Sequence, residues 1–139
     1  MVKPQPTPAE RARGALLAFA AGNALGLPAQ DLGTAAAIAE RYPDGLGDID
    51  RRDTAASPWD DDVALALLLG DELLQPAVDL RRLARRWIEW ARDDGRGIGP
   101  RTRRARDHSA HEGTPAGPDG TATNGAVSRC LPVALATLS

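Results

Sequence analysis

The chain has 139 residues, which bounds it at one domain, and its 42% apolar content permits a core although only 4% is aromatic. A formal net charge of −2 excludes a global basic field that would draw in nucleic acid. The single cysteine, Cys130, excludes an internal disulfide and a cysteine-based zinc centre, and fits a reducing, cytoplasmic setting.

Ala and Leu carry most of the apolar content and β-branched residues are sparse, so the composition predicts an all-α fold. Residues 1–6 read as a disordered lead-in and 7–139 as one helical domain. Thr7-Pro8-Ala9-Glu10 is a helix start: a hydroxyl cap, a proline in the first turn, and an acid three residues on that completes a capping box. The spacing predicts a helix to about Asn23, apolar all round from Ala15 to Ala21 and hence buried on every side. Lys3, Arg11 and Arg13 ahead of that run loosely mimic a secretory leader, but Glu10 and three prolines argue against one.

Gly22, Gly26 and Pro28 predict a turn, Thr34 to Arg41 a short helix, and Tyr42 to Ser57 a loop. Ser57-Pro58 repeats the start signal, placing Trp59 and Asp60 to Asp62 in the first turn of a second helix apolar on all faces from Val63 to Leu69. Asp79 to Arg92 is amphipathic: Leu80, Leu83, Trp87, Ile88 and Trp90 lean to one side and arginines fill most of the rest. Gly95 to Pro100 is a glycine-rich loop, Arg101 to His108 a short basic helix or turn, and Ser109 to Gly120 a mobile polar loop. A last apolar helix spans Ala126 to Leu138 with an irregularity at Pro132. No apolar run is long enough to span a bilayer. Two all-round apolar helices need more cover than the other elements supply. The pattern therefore predicts that part of the core comes from further sequence, a partner chain or self-association.

Three features could carry chemistry. Asp60-Asp61-Asp62 is one: acids are favoured at a helix start by its dipole, and clustered carboxylates also suit a hard cation such as magnesium or manganese. Side chains of consecutive helical residues diverge by about 100°, so the three could not chelate one ion symmetrically. Gly95 to Gly99, followed by Thr102 and flanked by Arg96, Arg101, Arg103 and Arg104, is either an anion site or a solvated basic face. Asn124-Gly125 is a turn and helix start. His108 and His111 match no metal or nucleophile spacing and read as surface residues.

Four segments, in order, resemble the N-terminal part of the ADP-ribosylglycohydrolase family, which includes the dinitrogenase-reductase-activating glycohydrolases. Arg11 to Gly26 resembles the family's first helix and Gly-Asp-Ala-Leu-Gly turn; Trp59 to Val63 falls where the family has Thr-Asp-Asp-Thr. Trp87 to Arg104 resembles its glycine-rich substrate loop, and Asn124 to Arg129 its Asn-Gly-Ala-x-x-Arg segment. The resemblance implies an all-α fold with a binuclear magnesium or manganese site. It implies Asp61 and Asp62 as catalytic metal ligands, with Asp60 in the place of a Thr ligand. It implies that Gly97, Gly99, Asn124 and Gly125 face the ADP-ribose, and that the reaction is hydrolysis of a glycosidic bond to ADP-ribose on a protein or small molecule.

The departures imply limits. Asn23 replaces the Asp of the turn, Gln30 replaces an acid assigned a catalytic role in many members, and Val63 replaces the second Thr. An amide is neither a general acid nor a general base. The family's C-terminal Asp-x-Asp-Thr/Ser half of the metal site is absent from these 139 residues, so the chain reads as a fragment or one part of a split enzyme, inactive alone. The other reading is a non-catalytic relative that binds ADP-ribose or a protein.

Overall fold

The computed structural model describes residues 5–49, 59–112 and 125–137. It is all-α, as composition predicts: seven helices and no strand among the described residues. The chain divides into two compact units, Met1–Asp60 and Asp61–Ser139.

The first unit holds α1 (Pro8–Gln30) and α2 (Ala35–Arg41). The capping box forms as its sequence requires: Glu10 N donates to Thr7 Oγ1 at 3.3 Å, and Thr7 N donates to Glu10 Oε2 at 2.7 Å. Thr34 caps α2 in the same manner, its hydroxyl accepting from Ala37 N at 3.2 Å.

Two expectations fail in α1. The helix does not turn at Gly22 but runs through Gly22, Gly26 and Pro28 to Gln30. Each glycine costs about 1 kcal/mol against alanine and Pro28 forfeits one ladder bond. Burial of Ala24 and Ala29 and a two-point tie from Asn23 to Asp60 offset that cost. Nor is the run Ala15 to Ala21 buried on every side: Leu17 is 71% exposed, and Ala18 and Ala21 are exposed too. A helix without a distinct apolar face needs cover all round, and one further short helix cannot provide it.

The second unit is built on α3 (Asp61–Leu73), with α4 (Leu80–Asp93), α5 (Pro100–Glu112), α6 (Gly125–Ser128) and α7 (Leu131–Ala136). Helix α3 packs against α4, α6 and α7, and α4 packs against α5. Val63, Ala64, Leu65 and Ala66 are buried, with Leu83, Ile98 and Pro132 around them, while Leu67 is 43% exposed. Full burial of a side chain such as Leu65 contributes about 2 kcal/mol. Helix α4 is amphipathic as read, with Leu83 inward and Arg81 and Arg85 in solvent.

Helix α3 starts at Asp61, so Trp59 and Asp60 precede its first turn; Ser57-Pro58 lies outside the described residues. Helix α5 continues past His108 to Glu112, taking in the first four residues of the expected polar loop. The last apolar helix is broken in two. Proline lacks the N–H an uninterrupted helix needs but is pre-shaped for a first turn, and Pro132 sits in the first turn of α7, after a turn at Arg129 and Cys130.

The far end of α3 carries a carboxylate with no solvent access. Glu72 is 0% exposed. It accepts from Arg82 Nε at 2.8 Å, Arg82 Nη2 at 2.5 Å and Asp79 N at 2.7 Å. Asp79 in turn caps α4, accepting from Arg81 N and Arg82 N. This clamp fixes the α3–α4 corner. The Arg82 guanidinium, followed by the Asp79 N–H, holds the Glu72 carboxyl below its ordinary value of 4.5.

Candidate functional site

Arg129 is the centre of the second unit's polar cluster. It stands in the turn that Pro132 imposes, with its side chain 15% exposed. Its Nη2 donates to Asp61 Oδ2 at 2.8 Å and to Thr102 Oγ1 at 3.2 Å, and lies 3.9 Å from Asp62 Oδ1. The guanidinium carbon is 6.0 Å from the centre of the Trp87 ring, within cation–π range. The neighbouring Ser128 Oγ donates to Asp62 Oδ1 at 2.7 Å.

One side chain thereby joins three sequence segments: the acidic turn of α3, the start of α5 behind the glycine loop, and the segment beginning at Gly125. A Cβ at Gly125 would lie 3.1 Å from Arg129 Nη2 and 3.4 Å from Cζ, so glycine there leaves room for the guanidinium. Trp87 Nε1 and Arg129 Nε are buried without an acceptor, so the cluster keeps unspent donors.

The glycine loop has the backbone its sequence requires. Gly95 ends α4 at φ +60°, where a Cβ would collide with the Ala91 carbonyl oxygen, and Gly97 takes φ +76°. Ile98, which follows Gly97, is buried, its carbonyl accepting from Arg103 Nη2 at 3.2 Å. Gly99 precedes α5, its carbonyl accepting from Arg103 N at 2.9 Å, and has open space where a Cβ would be. Asn124 lies outside the described residues. His108 and His111 are exposed.

Asp60 belongs to the first unit. Its Oδ1 accepts from Asn23 Nδ2 at 2.8 Å and its N–H donates to Asn23 Oδ1 at 3.1 Å. Asn23 and Asp60 are two of the departures from the family pattern, and each is the other's partner. An Asp at 23 would set two carboxylates at hydrogen-bond distance with Asp60 only 2% exposed; the amide supplies a donor instead. Val63, a third departure, is 2% exposed and packs in the core.

No group of three or more His, Cys, Asp or Glu side chains converges on a metal-sized position among the described residues. Asp61 and Asp62 are nonetheless hard oxygen donors, with the Ser128 hydroxyl beside them. That chemistry fits a magnesium- or manganese-class ion. Sequence reasoning placed Thr102 behind the glycine loop, Trp87 on the apolar side of α4 and Arg129 in the Asn-Gly-Ala-x-x-Arg segment, but predicted for neither them nor Ser128 a place at the acidic turn. They meet the acidic turn across 66 and 68 residues of chain in two cases, where no local periodicity signals the contact.

The second unit gathers an acidic helix start, a glycine loop and an arginine turn from three of the four family-like segments. The comparisons agree: the ADP-ribosylglycohydrolase family model matches residues 4–139, and the chain belongs to that family. It is similar to the ADP-ribosyl-[dinitrogen reductase] glycohydrolase of Rhodospirillum rubrum, with 34% identity over 144 aligned positions covering 96% of this chain and 47% of that protein. The chain thus spans about half the length of the curated relative it matches. No solved structure matches it.

Proposed function

We propose that the chain carries the acidic metal turn and the substrate loops of a hydrolase that cleaves the glycosidic bond between ADP-ribose and a modified protein or small molecule. The observation that supports this most is the Arg129 cluster, which draws Asp61, Asp62, Thr102 and Gly125 together from three of the four family-like segments. In this reading Asp61 and Asp62 hold a divalent ion of the magnesium or manganese class. Such an ion supplies charge stabilisation and orients ribose hydroxyls and water. Gly97, Gly99 and the Asn124-Gly125 segment face the ADP-ribose, where backbone without side chains lets a phosphate approach N–H groups closely.

Release of ADP-ribose from a mono-ADP-ribosylated peptide tests the reading. The chain is assayed with manganese, alone and together with a second polypeptide that supplies an Asp-x-Asp-Thr segment. Manganese-dependent release that Asp61→Asn abolishes is the expected result; none under either condition rejects hydrolysis.

A second reading has its own support: Gln30 cannot act as an acid or base, and Val63 is buried in the core rather than available as a ligand. On that reading the chain binds ADP-ribose without cleaving it. Calorimetry shows saturable ADP-ribose binding in both cases, and turnover separates them.

A further inference from the structure

We propose that Ser128 and Arg129 are positioning residues that set the two carboxylates of Asp61 and Asp62 for a divalent cation. The inference rests on the metal reading given above. Two consecutive residues, Ser128 at the end of α6 and Arg129 in the turn after it, reach two consecutive residues of one helix start: Ser128 Oγ holds Asp62 Oδ1 at 2.7 Å, and Arg129 Nη2 holds Asp61 Oδ2 at 2.8 Å. One named oxygen of each carboxylate is thereby tied to an outer partner. Metal-ligating carboxylates are commonly held in this way, and loss of the outer partner weakens metal binding.

Three features make the arrangement specific. First, adjacent side chains on a helix diverge by about 100°, so two carboxylates at positions 61 and 62 splay apart unless something fixes their rotamers. Second, Arg129 Nη2 has two protons, and both are engaged, one by Asp61 and one by Thr102 at 3.2 Å. The guanidinium is held there and cannot swing fully onto Asp62, which stays at 3.9 Å and keeps Ser128 as its donor. Third, the guanidinium beside Asp61 relieves the mutual repulsion of the two adjacent carboxylates. Arginine suits the role because its planar fork keeps a fixed orientation, whereas a lysine would supply charge without it. The turn before Pro132 is what lets neighbouring side chains from positions 128 and 129 both aim at α3.

The test is Mn2+ titration of the full chain, followed by electron paramagnetic resonance of free Mn2+ and by amide line broadening, which detects weak binding. The wild-type chain is expected to show broadening centred on the start of α3, lost in Asp61→Asn. Ser128→Ala and Arg129→Gln are expected to raise the Mn2+ Kd by about 10-fold or more. Ser128→Thr, which keeps the hydroxyl, restores most of the affinity, and Arg129→Lys restores part. The metal-free melting temperature of Ser128→Ala stays at the wild-type value while its affinity falls, which a merely structural role would not produce. Wild-type affinity, or tighter binding, in both Ser128→Ala and Arg129→Gln overturns the positioning role and leaves the metal site standing. No Mn2+-dependent broadening at α3 in the wild type overturns the metal reading and this inference together.

Discussion

The two ends of α3 hold their acids in opposite ways. At the C-terminal end one carboxylate, Glu72, has two nitrogens of Arg82 and a backbone N–H to itself. At the N-terminal end Asp61 and Asp62 both lie by one Arg129 nitrogen, whose second proton goes to Thr102, and Asp62 also accepts from Ser128. The first arrangement is complete and can only hold the chain together. The second ties adjacent carboxylates to two different residues, Ser128 and Arg129, that lie 66 and 68 positions away in the chain. Burial of an acid beside an arginine does not by itself distinguish scaffold from site.

Substitutions at the two ends are expected to separate stability from binding. Glu72→Ala leaves Arg82 without its carboxylate and the α4 start without a tether, and is expected to lower Tm by on the order of 10 °C. Calorimetry checks this, and Mn2+ binding at α3 should persist below the new Tm. A small loss of stability would mean that the clamp is not the main brace of the α3–α4 corner.

Acid should undo the same clamp. The folded-state pKa of Glu72 lies below its ordinary value of 4.5, so its contribution is present above that value and is lost as pH falls through the lower folded value. Urea unfolding is expected to be flat from pH 7 to about 5 and to weaken below about 4.5. In Glu72→Gln that part of the acid slope should vanish.

The third acid, Asp60, sharpens the comparison because its side-chain partner Asn23 is a neutral amide. Asn23→Asp opposes two carboxylates and is expected to cost about 2 kcal/mol at pH 7. Repulsion raises the folded pKa of one of them, so the variant is closest to wild type at low pH and loses ground as pH rises. A pH-independent deficit would point to lost packing instead. The smallest expected effect on stability is at the N-terminal end of α3. Asp61→Asn should cost about 1 kcal/mol, since Asp62 is near enough to the guanidinium to compensate in part, yet it should remove Mn2+ binding.

Much of the frame was legible in the sequence because its signals are local. Thr7-Pro8-Ala9-Glu10 forms the box it spells, Thr34 opens α2, and Pro132 breaks the last helix. Where the chain resists its local signals, something distant overrides them: Gly22, Gly26 and Pro28 stay helical beside Asn23, which is tied to a residue 37 positions away. The run Ala15 to Ala21 shows a different limit, since hydrophobicity on all faces describes a demand for cover and not its supply; Leu17 remains 71% exposed.

The candidate site divides along the same line. Carboxylates in a row announce themselves, and so do glycines clustered before a helix. Of the groups that hold Asp61 and Asp62, Arg129 closes the family-like Asn124 to Arg129 segment, yet nothing in the sequence ties it to the acidic turn, and Ser128 is an ordinary serine distinguished only by where the fold brings it. Glu72 was missed because an acid that follows Asp71 near a helix end carries no mark of burial.

Cys130, the one cysteine of the sequence, is exposed and follows Arg129 directly, with its thiol donating to the Ala126 carbonyl oxygen at 3.1 Å. A single reachable thiol beside the positioning turn is a ready attachment point. A nitroxide or fluorophore coupled there reports on the Ser128–Arg129 corner without any residue being introduced, and its signal provides a direct reading of whether that corner moves when a cation or ADP-ribose arrives.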